Sequence, residues 1–175
     1  MKIIIYGSQY GTAKEYAQEL SIKTGIKAMD YRDMLDVNSY DVVIYIGALY
    51  AGGVLGMKRT FNKITDVTAK KIIIATVGLA NPCDKSNTDT IKKNIKRQLS
   101  DDVYENAHIH FLRGAIDYSK LGLKHKTMMA LLYRKAKRLK DDEKTAEVNA
   151  LIETYGKKVN FIDFDALNPI IDEME

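Results

Sequence analysis

The first twenty residues constrain this chain most. An apolar run, Lys2-Ile-Ile-Ile-Tyr6, enters a small loop, Gly7-Ser8-Gln9-Tyr10-Gly11-Thr12-Ala13, and the loop opens into the amphipathic stretch Lys14–Leu20. A strand therefore runs through a tight turn directly into a helix. The first amides of a helix lack intrahelical partners and its dipole favours negative charge there, so the junction suits a phosphate. Three familiar phosphate-handling designs fail on the residues. A Walker-type loop needs a lysine after its second glycine, and Thr12 follows Gly11. The dinucleotide fingerprint needs a glycine where Gln9 stands. A phosphorylatable receiver domain needs an acidic pair after the first strand and an aspartate after the third, where this chain has Gly7-Ser8 and Gly47-Ala48. A terminal monophosphate held by hydroxyls and amides, without a cation, is left. The competing reading is that Ser8 and Thr12 only cap the helix.

The rest of the chain repeats the alternation. Lys2–Tyr6 is the first predicted strand and Thr12–Thr24 the first helix, ended by Gly25. Lys27–Tyr31 is a weaker strand, and Asp36–Tyr40 reads as one helical turn. Asp41–Ile46 is a continuous apolar run, as in a strand covered on both faces. Val54–Ile64 is a helix, Lys71–Val77 a strand, and Thr88–Leu99 a helix capped by Asn87 or Thr88. Ile109–Ala115 is the fifth strand. Strands alternating with helices, joined by right-handed crossovers, predict a three-layer α/β fold. Its core is a doubly wound five-stranded parallel sheet in the order 2-1-3-4-5. Ligands in such folds bind at the carboxyl ends of the strands, where the winding reverses. The loops after strands one, three and four are therefore expected to share one cleft.

Bulk properties set the outer bounds. With 175 residues, the chain 1–175 is expected to be a single domain carrying a basic helical insertion near 119–142. No apolar run reaches the roughly 18 residues of a membrane span. A strand pattern starts at Lys2, so no signal peptide is expected, and the lone Cys83 fits a reducing, cytoplasmic setting.

The second expected cleft loop is Gly47-Ala48-Leu49-Tyr50-Ala51-Gly52-Gly53. A helix follows it, which argues against a hairpin, and its three glycines suggest positive φ or close approach to a ligand. Tyr50 either covers a flat heterocycle or packs on a helix. The third loop, Val77-Gly78-Leu79-Ala80-Asn81-Pro82-Cys83-Asp84, is again small, with Thr76 and Asn81 as hydrogen-bonding groups. No nucleophile with a base and no carboxylate pair stands in these loops, so no catalytic residue is assigned. His108 and His110 share a strand face without a third ligand, so no metal is expected. Small, uncharged loops suit a bound cofactor that carries the chemistry itself.

These features resemble the flavodoxin-like superfamily, whose phosphate loop has the form T/S-x-T-G-x-T. Ser8 and Gly11 match it, Tyr10 and Ala13 replace two hydroxyl residues, and Thr12 lies one position early. Within the superfamily the chain is similar to the bacterial flavodoxin-type protoporphyrinogen oxidases of heme biosynthesis. The similar stretches are Gly11-Thr12-Ala13-Lys14-Glu15-Tyr16-Ala17, Gly47-Ala48, Gly114-Ala115-Ile116-Asp117-Tyr118 with the basic segment to Lys140, and Asp163-Phe164. The resemblance implies a flavoprotein that binds FMN. Ser8, Gln9, Tyr10, Gly11, Thr12 and Ala13 would hold the phosphate. Ala48, Leu49, Tyr50, Ala51, Gly52 and Gly53 would line one side of the isoalloxazine, and Val77, Gly78, Leu79, Ala80 and Asn81 the other. A peptide at Gly52-Gly53 would change its hydrogen bond with redox state.

Leu121–Lys140 combines an apolar set (Leu121, Leu123, Met128, Met129, Leu131, Leu132, Leu139) with Lys124, His125, Lys126, Arg134, Lys135, Lys137, Arg138 and Lys140. Electron-shuttling flavodoxins are typically acidic, so the resemblance implies a different partner here. A basic amphipathic helix at 120–140 could touch an anionic membrane where a quinone is reachable, or simply pack with a solvated basic face. Nucleic acid is not expected. Three functions stay open: an FMN-dependent, quinone-linked porphyrinogen oxidase with a substrate cleft walled by Tyr118 and the basic segment; an electron-transfer carrier for a redox partner protein; and a flavin-free regulatory domain.

Overall fold

The computed structural model describes residues 1–50 and 52–174. Its frame is the expected one. β1 (Lys2–Gly7), β2 (Ala28–Asp30), β3 (Val42–Tyr50), β5 (Lys71–Gly78) and β6 (Ala107–Arg113) form a parallel sheet in the order β2-β1-β3-β5-β6. In chain order of the parallel strands this is 2-1-3-4-5. Alternation along each strand builds two apolar layers, because successive side chains point to opposite faces. Ile4, Ile44, Ile46, Ile73 and Ala75 face α1 (Thr12–Thr24) and α7 (Asn168–Glu173). Ile3, Ile5, Val43, Tyr45, Ile72 and Ile74 face α2 (Met57–Phe61), α3 (Lys85–Lys96) and α4 (Asp101–Glu105). Helix α1 ends where expected, with Gly25 at a φ of 71° donating its amide to Ser21 O.

Four local expectations are corrected. A hairpin does follow β3: its last residues pair antiparallel with β4 (Gly53–Val54), Leu49 opposite Val54 and Tyr50 opposite Gly53. Gly52, at a φ of 80°, supplies the left-handed conformation that such a reversal requires. Val54, assigned to a helix by periodicity, is thereby drawn into the sheet, and α2 starts only at Met57. Helix α3 begins three residues before the expected Thr88, because the Asp84 carboxylate accepts from the amides of Ser86 (2.8 Å) and Asn87 (3.4 Å). Asp36–Tyr40 is a turn rather than a helical one: Asp36 accepts from Asn38 N at 2.8 Å and Ser39 Oγ at 2.6 Å. The fifth strand breaks at Gly114, whose amide donates to Gly78 O at 2.8 Å.

Beyond Gly114 the chain leaves the sheet. β7 (Ala115–Asp117) pairs antiparallel with β8 (Lys158–Asn160), and α5 (Leu123–Arg138) and α6 (Ala146–Thr154) lie between them. This cap has its own apolar cluster of Ile116, Tyr118, Leu121 and Met129, packed with Tyr10 and Leu79 from the sheet's loops. Tyr155 stacks on Tyr133, centroids 4.0 Å apart, and meets the edge of Tyr118 at 5.2 Å. Among the described residues no helix is long and apolar enough to cross a membrane.

Candidate functional site

A cleft of about 550 Å³ lies at the carboxyl ends of β1, β3 and β5, floored by their loops and roofed by α5 and α6. The first loop brings Ser8, Tyr10, Thr12 and Ala13 to it. Gly11, at a φ of 102°, donates its amide to Ser8 Oγ at 3.1 Å, which curls the loop around its own serine. The amides of Gln9, Tyr10, Thr12 and Ala13 have no hydrogen-bond partner among the described residues, as befits a helix entry awaiting an acceptor. The Thr12 hydroxyl is already committed. It donates to Ala115 O at 3.1 Å and accepts from Ala115 N at 3.3 Å, so it ties the loop to the cap. Gln9 does not line the cleft; its Nε2 lies 2.9 Å from His125 Nε2 on α5. The same imidazole meets the edge of the Tyr10 ring, centroids 5.5 Å apart. The Tyr10 hydroxyl is buried without a partner among the described residues, and burial, with Tyr50 nearby, pushes its pKa up.

The second loop is the hairpin. Ala48, Leu49, Tyr50, Gly52 and Gly53 line the cleft, while Ala51 lies outside the described residues. Tyr50 reaches across to α5, its hydroxyl 3.4 Å from Met128 Sδ. The two glycines differ in freedom. A Cβ on Gly52 would meet nothing within 4 Å, whereas one on Gly53 would lie 1.9 Å from Gln98 Nε2. The third loop contributes Val77, Gly78 and Leu79. Ala80 instead lines a small adjoining cavity, and Asn81 is exposed, its side chain accepting from Cys83 N at 2.9 Å.

The sequence led to the basic segment beside the cleft but not to α6. Met128, Met129 and Leu132 from α5 and Thr145, Glu147, Val148 and Leu151 around α6 complete the cleft, and its walls are mainly apolar. The expectation that Tyr118 walls it is corrected: Tyr118 is buried inside the cap against Tyr155, with its pKa pushed up to about 12 by that burial. Only the apolar half of the basic segment reaches the cleft. Lys124, Lys126, Arg134, Lys135, Lys137 and Arg138 are exposed on the other side. Among the described residues Glu147 is the one carboxylate on the cleft. Burial pushes its pKa up, and it makes no hydrogen bond or ion pair among the described residues. Its only sequence signal is Thr145, which caps α6 through Val148 N (3.3 Å) and so orients the first turn of that helix.

His108 and His110 both reach Glu173 Oε2, at 3.3 and 3.0 Å. They tie β6 to α7, away from the cleft. Among the described residues no group of three metal-ligating side chains is placed to hold an ion.

Two solved flavodoxins have a TM-score of 0.40 to this chain. One is a point mutant of the Fusobacterium nucleatum flavodoxin bound to flavin mononucleotide, 15% identical, covering 68% of this chain and 71% of its own. The other is a cysteine-to-alanine mutant of the Pseudomonas aeruginosa flavodoxin, 17% identical, covering 87% and 99%. No curated protein matches the sequence. The sequence itself matches the family described as flavodoxin domain over residues 3–143, from the first buried residue of β1 to beyond α5. With that span matched, the chain belongs to the flavodoxin domain family.

Proposed function

We propose that this protein binds one FMN noncovalently in the cleft and passes electrons through it to a redox partner. The observation that carries the reading is the division of the cleft into a polar and an apolar end. At one end Ser8 and the unpaired amides of Tyr10, Thr12 and Ala13 offer only donors that need no cation, which suits a terminal phosphate. The remainder is small-residue backbone, Tyr50 and the apolar side of α5, which suits a flat ring system. When bound, FMN supplies the one- and two-electron chemistry; the chain holds and shields it. Substitution of two loop hydroxyls by Tyr10 and Ala13 shifts phosphate binding from side chains to backbone. The test is titration of FMN with the purified protein: saturable quenching of flavin fluorescence is expected, with absorbance that survives desalting. Absence of both sinks the reading.

The roof favours an enzyme over a simple carrier, because a carrier needs only an exposed flavin edge. We take the finer activity to be oxidation of a porphyrinogen-like substrate with a quinone-linked acceptor. Exposed Leu123 and Leu131 among the lysines and arginines of α5 support contact with an anionic membrane surface. Turnover of protoporphyrinogen by the FMN-loaded protein tests the activity. Co-sedimentation with anionic liposomes at low salt tests the surface.

A further inference from the structure

Glu147 is unusual in two ways. It sits on the first turn of α6 and lines the roofed cleft, yet it also lines a second, internal cavity of about 10 Å³ behind the β5 loop. That space fits about one water molecule. Two other polar groups face the same cavity. Thr76 is 1% exposed and Asn87 3%, and Thr76 Oγ1 and Asn87 Oδ1 have no hydrogen-bond partner among the described residues. A buried hydroxyl or amide oxygen without a partner is costly, so three unpartnered polar groups around one small cavity call for an explanation. The Glu147 carboxylate lies against the third cleft loop, its Oε1 only 2.7 Å from where a Cβ on Gly78 would stand. It thus touches both the polar cavity and the loop expected to flank the ring.

We propose that Glu147 is a proton-exchanging group of this cleft, taking up a proton as the cleft gains an electron and releasing it as the electron leaves, through the cavity it shares with Thr76 and Asn87. This rests on the FMN reading. The electron comes from a reduced partner protein and the proton from solvent. The only bond made is the O–H of the carboxylic acid, and the net charge in the cleft is unchanged. The coupling is Coulombic: negative charge added beside a carboxylate of low solvation favours its neutral form. Burial already pushes this group up from the ordinary glutamate range, in the same direction as the added charge would. The dipole at the start of α6 acts in the opposite direction and keeps the anion accessible. Competing groups are few. The other titratable side chains on the cleft are Tyr10 and Tyr50. Nearby cations are engaged elsewhere: Arg113 with Leu79 O and the Phe161 ring, Lys92 over Phe111, Lys144 with Asp141.

The experiment is spectroelectrochemical titration of the FMN-loaded wild type and E147Q from pH 5 to 8, with dithionite as reductant. If Glu147 takes up one proton per flavin reduced, the wild-type ratio of reduced to oxidised flavin at fixed potential falls by about tenfold per pH unit more than that of E147Q within the coupling window. T76V removes a hydroxyl that faces the shared cavity, so the carboxylate is less well solvated there and its window moves to higher pH. A second readout needs no flavin: with 13C-labelled glutamate, one carboxyl of the wild type titrates above the others and is missing from E147Q. If both proteins fold and bind FMN and their potentials run parallel, the proposal is overturned while the FMN reading stands. It is equally overturned if every glutamate carboxyl titrates in the ordinary range. If neither protein binds FMN, the functional reading falls first and this proposal with it.

Discussion

The sheet and the cap meet at one cleft but equip it in opposite ways. The sheet side offers backbone at Gly52, Gly53, Gly78, Ala48 and the unpaired amides after Ser8, with Leu49 and Tyr50 as its larger side chains. The cap side offers side chains: Met128, Met129, Leu132, Val148, Leu151 and the carboxylate of Glu147. The sheet side is held by buried strands, and little space is left for change. Any Cβ on Gly47 would lie 2.2 Å from Val54 Cγ1. The cap is held by a smaller aromatic and methionine cluster, with a hydrogen-bonded tie to the sheet loops at Thr12 and a contact at His125. The difference separates two jobs. On the proposed reading, small-residue loops would recognise what every ligand of the class shares, a phosphate and a flat ring, and the cap would decide what else enters and how charge beside the ring is balanced.

Four measurements would break or sharpen this contrast. The largest effect is expected on the sheet side. A Cβ in Gly7→Ala would lie 2.0 Å from the backbone oxygen of Leu55, which cannot swing away as a side chain would. We expect a loss of about 3 kcal/mol in urea unfolding. An unchanged midpoint would show that the loops are less rigid than argued. Next comes the tie between the two regions. Thr12→Val leaves both polar groups of Ala115 without their partner, at a cost of about 1–3 kcal/mol. If the tie matters for the cleft, FMN affinity falls with it, whereas loss of stability alone would make Thr12 a purely structural joint.

Smaller still is Ser8→Ala. It leaves the amides in place, so FMN binding should weaken by about tenfold, roughly 1.4 kcal/mol, with FMN retained. Complete loss would show that the hydroxyl, not the backbone, carries the phosphate. The last reads only a direction. The pKa of Glu147 is raised in the folded protein, so folding favours its protonated form. Any stability linked to this proton is fully present below the unfolded value of about 4.3 and is lost as pH rises through the folded pKa. Glu147→Gln should therefore match the wild type near pH 4 and exceed it at neutral pH. Equal stability at both would mean that the carboxylate is better solvated than its surroundings indicate.

The sheet was legible because its evidence is local. Runs such as Ile3–Ile5, Val43–Ile46 and Ile72–Ala75 announce buried strands wherever they occur, and the helices between them fix parallel pairing and winding. The cleft loops followed from that order alone. The reversal at Gly52 was missed because its residues also fit the start of a helix. What selects the hairpin is the pairing of Val54 with Leu49, and the acceptance of the Val54 amide by Gln98 Oε1 at 3.0 Å.

What the amino-acid order determined unaided was the alternating architecture, the small-residue loops at one end of it and the absence of a cation in the loop after β1, since each depends on neighbours in sequence. Tertiary structure decided which side chains face those loops. His125 reaches Gln9 across 116 residues, Thr12 bonds Ala115 across 103, and Glu147 acquires its raised pKa only where α6 buries it beside Gly78. Burial and long-range proximity belong to the assembled chain, and no local pattern of residues carries them.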